Sequence, residues 1–340
     1  MKKIKTVVFS LIITACALSC ANGKGGLDYR RNIVPVKGVL LQIEHLTGKP
    51  YDLVCKDDLL IYYDYYDGEL LSMYDLKKNR FVGRFVAVGN GPDEAVPPLA
   101  VVSWPQKDRL YTYQRNTATL SVFGVPDFRI RNSIRFASST PWNPLKLAKT
   151  RDFYIGETVY DEGRFGVYNS EGKLLQTGGT YPFGGKDLDP MPAFILYQGA
   201  TCANPENNRF AVGGTFCDHI AFYEAGEDGI TLLKEYASSD VRATYPGQLV
   251  VDKECVISYT GACGTASYCY MLYSGKTCAA NGERSEGGNC IIVFDWEGNY
   301  VKTLEADREI RTFCVDEAAQ MIYAAALGDD GEYGIIKFKL

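Results

Sequence analysis

Asp64, Asn116 and Glu157 stand near the ends of three successive short apolar runs. Two carboxylates and an amide are the hard oxygen donors that a single divalent cation takes, provided that they converge. A cation held in this way would support hydrolysis of a lactone or ester. Carboxylates at strand ends are also ordinary solvated turn formers, and both readings stand at this point. Nucleophilic catalysis has less material. His45 and His219 are the only histidines, and Asp218 next to His219 is adjacency in sequence, whereas a triad converges in space. "SGKT" (274–277) has Tyr270 where a phosphate loop needs glycine, and "CAANGERSEGG" follows it in place of a helix. A bound nucleotide is therefore not expected. With two histidines and no C-x-x-C pair, zinc is not expected either.

One cysteine carries a more specific signal. Lys2, Lys3 and Lys5 precede an apolar stretch from Ile4 through Leu18 without an acid, and "ALSC" (17–20) ends it. This is the layout of a secretory signal, too short to span a bilayer comfortably. The four residues resemble the lipobox of bacterial lipoproteins, although Ala17 stands where leucine is more usual. That resemblance implies cleavage after residue 19 and acylation of the Cys20 thiol. "ANGKGG" (21–26) would be a flexible tether. Two or more acyl chains hold a protein durably on a bilayer, so the expected place is the bacterial envelope, outside the cytoplasm, at the outer membrane.

Removal of residues 1–19 takes away three lysines and no acid, so the formal net charge of −5 becomes −8. With no basic stripe, a nucleic-acid partner is not expected. Nine cysteines remain after Cys16 and Cys20, an odd number. Cys263 and Cys269 bracket a short turn and Cys278 and Cys290 a polar loop, so these are the candidate disulfide pairs. The others read as buried thiols.

The elements that would position all these residues come from a repeat. "VYNSEGKLLQT" (167–177) and "VFDWEGNYVKTL" (293–304) share a pattern: an apolar residue, an aromatic, Asn or Asp, a Glu-Gly turn and an alternating strand. Weaker copies begin at residues 73, 122 and 222, and a truncated one is "IKFKL" (336–340). The aromatic markers are Tyr74, Phe123, Tyr168, Tyr223, Phe294 and Phe338, in steps of 49, 45, 55, 71 and 44 residues. Each unit has room for about four short strands, the content of a propeller blade. Six copies predict an all-β, six-bladed β-propeller. The last copy stops on its third strand, and the alternating run "VLLQIEHL" (39–46) is the candidate to pair with it and close the ring. The expected organisation is a signal over 1–19, a lipidated cysteine and tether over 20–34, and one propeller domain over 35–340.

The chain resembles the TolB-like six-bladed propeller lipoproteins of gut-dwelling bacteria. "MLYSGKT" (271–277) with "VFDWEGN" (293–299) carries the likeness, as does "GNGPDE" (89–94), where Asn90 replaces the commoner Arg and Asp93 the commoner Gly. The resemblance implies a propeller in the envelope and no catalytic residues. The expected role is a binding or scaffold module with no cofactor and a protein or glycan partner. The alternative is a hydrolase or lactonase with one cation in the channel. Turns between second and third strands share a rim with the links between blades. That rim would collect Asp67, Asp161, Glu162, Asp218, Asp329 and Asp330, together with Asp93, Glu94, Tyr65, Tyr66, Tyr160 and Phe216, a surface for a cationic or sugar-like partner.

Overall fold

The computed structural model describes residues 27–41, 43, 49–137, 142–182, 188–237, 243–244, 250–282, 286–328 and 331–340. Cys20, His45, Asp329 and Asp330 lie outside the described residues.

The chain first lays down two short strands, β1 (Ile33–Val36) and β2 (Val39–Leu40). Blade I is then β3–β6 (Asp52–Lys56, Leu59–Tyr66, Glu69–Asp75, Arg80–Ala87) and blade II β7–β10 (Leu99–Gln106, Arg109–Gln114, Thr119–Gly124, Ile130–Arg135). Blade III is β11–β14 (Lys146–Lys149, Tyr154–Glu157, Phe165–Tyr168, Leu174–Gly178). Helix α1 (Pro190–Tyr197) leads into blade IV, β15–β18 (Gly199–Ala203, Arg209–Gly214, His219–Gly226, Gly229–Ala237). A small ladder, β19 (Ala243–Thr244) with β20 (Val250–Val251), precedes blade V: β21 (Tyr259–Gly264), β22 (Tyr268–Tyr273), β23 (Gly288–Asp295) and the start of β24 (Tyr300–Asp316). Blade VI uses the rest of β24 with β25 (Met321–Leu327) and β26 (Tyr333–Lys339). β24 thus serves as the outer strand of one blade and the inner strand of the next.

All six aromatic markers fall on the third strand of their blades, and all are buried. In the first five blades the ladder between third and fourth strands breaks register at the marker, as at Met73/Tyr74, Val167/Tyr168, Phe222/Tyr223 and Val293/Phe294; in blade II the shift between Ile130 and Asn132 lies opposite Phe123. A bulge increases local twist, and five bulges at equivalent places turn five outer strands alike. The repeat read from sequence is therefore a repeat of backbone geometry as well as of burial.

Each blade packs on both faces, so its middle strands bury consecutive residues such as Leu60, Ile61, Tyr62 and Tyr63. Six apolar clusters result, one between each pair of neighbours, including Leu41, Leu53, Tyr74, Tyr323 and Ile335 between blades VI and I. The N-terminal segment supplies an outer strand to blade VI. Val39 lies opposite Lys337 and Leu40 opposite Ile336, and the Leu41 amide donates to Ile335 O at 2.8 Å. Among the described residues of the 39–46 run, the paired strand is Val39–Leu40, and no sheet closes on itself. β1 adds parallel to the first half of β24, an addition the sequence did not suggest.

Candidate functional site

Two hollows compete. The inner strands of all six blades surround a central cavity of about 460 Å³. Its wall includes Asp52, Lys149, Glu206 and four thiols, Cys55, Cys202, Cys263 and Cys314. The Asp52 carboxylate accepts from the amides of Val101 at 2.8 Å and Leu53 at 3.0 Å, yet burial raises its pKa to about 6. Asp52 is tied to backbone. Neither Asp64, Asn116 nor Glu157 lines this cavity.

Those three residues are not brought together. Asp64 is buried in blade I, 3.0 Å from Arg84 and bonded by the Ser72 hydroxyl. The Asn116 amide donates to Pro97 O on the surface. Glu157 is buried beside Arg164 at 3.6 Å and accepts from Thr201 Oγ1. Each carboxylate faces an arginine inside the protein, although Glu157 Oε1 makes no hydrogen bond. Among the described residues no group of three or more His, Cys, Asp or Glu is arranged to hold a metal ion.

The candidate cysteine pairs do not form; all nine described cysteines are free. Strand register explains the first pair. Cys263 lies directly opposite Tyr270, so Cys269, one place along, points to the other face of the blade. Cys263 packs between blades V and VI, whereas Cys269 packs between IV and V, with its Sγ 3.5 Å from Cys202 Sγ. Cys278 is held near Cys255, whose carbonyl accepts its amide at 2.9 Å, and Cys290 sits on β23 opposite Tyr273.

The rim residues divide by burial. Asp67, Asp161 and Glu162 are exposed in the β4–β5 and β12–β13 connections, and Tyr65 and Tyr66 are exposed at the end of β4. Asp218 and Phe216 are half-buried in the β16–β17 turn, and burial raises the Asp218 carboxyl. Tyr160 does not face solvent: it is buried, with its hydroxyl 3.0 Å from that of Tyr168. Asp93 and Glu94 are spent on local structure. Asp93 accepts from the Ile130 amide and Glu94 from the Gly91 amide, each at 2.6 Å. A side chain at Gly89 or Gly91 would collide with the Glu94 carboxylate, so "GNGPDE" reads as a self-tied loop.

The second hollow lies on that rim, where connections from blades II, III and IV meet. It measures about 430 Å³ and is lined by Arg115, Asn116, Trp142, Asn143, Thr158 and residues of α1. The turn after β8 presents Arg115, and Asn143 Nδ2 donates to Asn116 O at 3.2 Å, which ties the blade II turn to the II–III link. Thr158 Oγ1 donates to Asn143 O at 2.9 Å and adds blade III. Helix α1 closes the third side with Met191, Phe194 and Ile195. Trp142 is 51% exposed. The periodicity of α1 is too weak for sequence reasoning to find, but Pro190 at its first position after Asp189 was the available signal.

Beneath the cleft the interior is charged. Arg164 is fully buried, donates to Tyr197 O at 2.7 Å and lies over the rings of Phe165 and Tyr181. Lys146 Nζ donates to Gly199 O. Burial lowers the Lys146 pKa; Glu157 opposes the shift, and Arg115 and Arg164 add to it. His219, also buried, bonds Glu235 through Nε2 at 2.9 Å, and burial lowers its pKa.

A six-bladed propeller with a ligand-sized hollow on one rim is the class of molecule that this geometry defines. The model of the TolB-like 6-blade propeller-like family matches residues 31–318, and the chain belongs to that family. Solved structures agree on the fold. A DUF4221 family member from Bacteroides vulgatus has a TM-score of 0.57 at 11% identity, covering 89% of this chain and 95% of its own. A Bacteroides fragilis protein described as exported has a TM-score of 0.52 at 12% identity, covering 90% and 98%. The β-propeller domain of Swd1 from Myceliophteria thermophila reaches 0.51 at 10% identity, covering 89% and 99%. No curated protein matches the sequence.

Proposed function

We propose that the protein is a lipid-anchored binding module of the bacterial envelope that takes its ligand in the rim cleft between blades II, III and IV. The cleft carries the reading. Its volume falls in the range of small-ligand sites, and it joins an exposed tryptophan to a few polar groups on a rigid frame. Loops on a rigid scaffold are where propellers place binding residues. The family and the lipobox-like "ALSC" support a site outside the cytoplasm, with Cys20 acylated and the outer membrane as anchor. The exposed acids Asp67, Asp161 and Glu162 lie on the same rim and would border a larger partner.

Two measurements test this. Cys20→Ser should move the protein from the membrane to the soluble fraction or leave the signal uncleaved; normal acylation of that variant would refute the anchor. Trp142→Ala should abolish capture of low-molecular-weight ligand from envelope extracts while the melting curve is unchanged. Capture that survives the substitution would place the ligand elsewhere.

A further inference from the structure

Resting on that reading, we propose that the rim cleft selects a ligand carrying a carboxylate on a ring, as a uronic acid does. Charge supplies the first part. The charges that act on Lys146 are one carboxylate, Glu157, and two guanidinium groups, Arg115 and Arg164. Three cations thus face one anion; Arg164 is fully buried and Lys146 half-buried, where a charge is less screened than in open water. Arg115 is the exposed member, lines the cleft, and makes no ion pair among the described residues. Arg164 retains two buried N–H groups, at Nε and Nη1, without hydrogen-bond partners. An arriving anion would lower the energy of the whole group, whereas a cation would raise it.

Shape supplies the second part. Trp142, Met191 and Ile195 offer flat or flexible apolar surface beside Arg115. An aromatic face accepts either the C–H face of a sugar or another aromatic ring. Asp161 and Glu162 stand on the connection that carries Thr158 and Val159, but neither lines the cleft. The common chemistry is therefore a ring with a carboxylate, from a sugar acid or an aromatic acid.

Calorimetric titration of the intact protein with D-glucuronate, D-glucose and benzoate decides among these. D-Glucuronate or benzoate should bind at least roughly tenfold more tightly than D-glucose, the scale of one charge-assisted hydrogen bond. The affinity should fall as salt rises. Which acid binds better identifies the sugar or the aromatic source. Arg115→Gln should remove the preference, Arg115→Lys should retain part of it, and Trp142→Ala should weaken all binding. Equal binding of glucose and glucuronate, unaffected by Arg115→Gln, overturns the charge selection and leaves the cleft as a neutral-ligand site. No binding of any of the three overturns both readings.

A different observation carries a second inference. We infer that Cys202 and Cys269 are an oxidisable pair that staples blade IV to blade V. Gly264 lies opposite Cys269, and a side chain there would collide with the carbonyl of Ala203, so the blades approach unusually closely at this point. Their sulfurs are 3.5 Å apart, and Cys202 is reachable from the central cavity. A small-molecule disulfide is the oxidant: Cys202 attacks it and releases one thiol, then Cys269 attacks the mixed disulfide and releases the second. Burial pushes the Cys269 thiol well up, so the second step should quicken with pH.

Incubation of the full chain with oxidised glutathione, followed by non-reducing peptide mapping, should find a 202–269 cross-link and two fewer alkylatable thiols. Cys269→Ser should trap glutathione on Cys202. A map showing only mixed disulfides, or only a link between Cys55 and Cys314, overturns the pairing.

Discussion

The interface between blades V and VI and the one between blades III and IV are built from the same repeat and end up as different materials. Between V and VI, Leu272, Ile291, Val293, Ile322, Ile336 and Phe338 interlock, and the hydroxyl of buried Tyr270 donates to Glu317. Between III and IV, the rings of Phe165, Phe210 and Tyr223 form the floor, but the rim end holds Arg164, Glu157 and His219, all buried. The first interface is a wedge that fixes blade angle. The second gives up apolar packing for charge directly below a cleft, and the link that carries α1 roofs it. Buried charge without full pairing is costly, so the second interface gives up stability that the first keeps.

The largest difference should come from the chain's beginning, which touches only one of the two interfaces. Deleting residues 27–41 strips β1 from β24 and β2 from β26. It should abolish cooperative thermal unfolding and promote aggregation through the bared edges. Calorimetry of the truncated protein checks this, and a melt like that of the full chain would show that the V–VI end does not depend on the segment.

Single substitutions come next and separate the two interfaces by chemistry. Phe338→Ala should cost about 3–5 kcal/mol in chemical denaturation through the cavity it leaves. Arg164→Met should cost a similar amount, about 3–5 kcal/mol, because buried Glu157 loses its arginine and the Tyr197 carbonyl loses its donor. Adding Glu157→Leu to Arg164→Met should recover only part of that loss, because Lys146 then keeps no carboxylate among the charges that act on it. If the double variant is no more stable than the single, the III–IV charges are not acting as a pair.

pH should sharpen the contrast with a smaller effect. His219 has a lowered pKa when folded, so stability should fall as pH drops below about 6.5, where only the unfolded chain takes up the proton. His219→Gln should remove that limb. Asp52, at the cavity wall, slopes the other way. Its folded pKa of about 6 lies above its ordinary 3.8, so stability should decline between those values as pH rises, by at most about 3 kcal/mol. Denaturation midpoints from pH 3 to 8 for Asp52→Asn would show that decline disappear. The smallest effect belongs to Trp142→Ala, an exposed position whose loss should change stability by no more than about 0.5 kcal/mol.

Much of this was legible in the chain itself. Six aromatic markers at blade-length steps determine blade number, and each marker is a buried third-strand residue, five of them beside a bulge. That signal is local, carried by residues a few positions apart, so a linear reading finds it. The missing strand of the last copy likewise pointed to the N-terminal run that pairs with β26.

What the tertiary structure alone decided is which polar groups meet. Asp64 and Glu157 look like strand-end carboxylates, but Arg84 reaches the first from another strand of blade I and Arg164 the second from the β12–β13 connection of blade III. Cys269 turns away from its sequence neighbour Cys263 because adjacent strand positions face opposite sides, and it meets Cys202 from another blade. The cleft draws on residues 115–198, from blades II and III, the link between them and a helix with almost no sequence signature. Burial pattern repeats along the chain and can be read there. Convergence between blades depends on how six similar units are rotated about an axis, which no spacing of residues encodes.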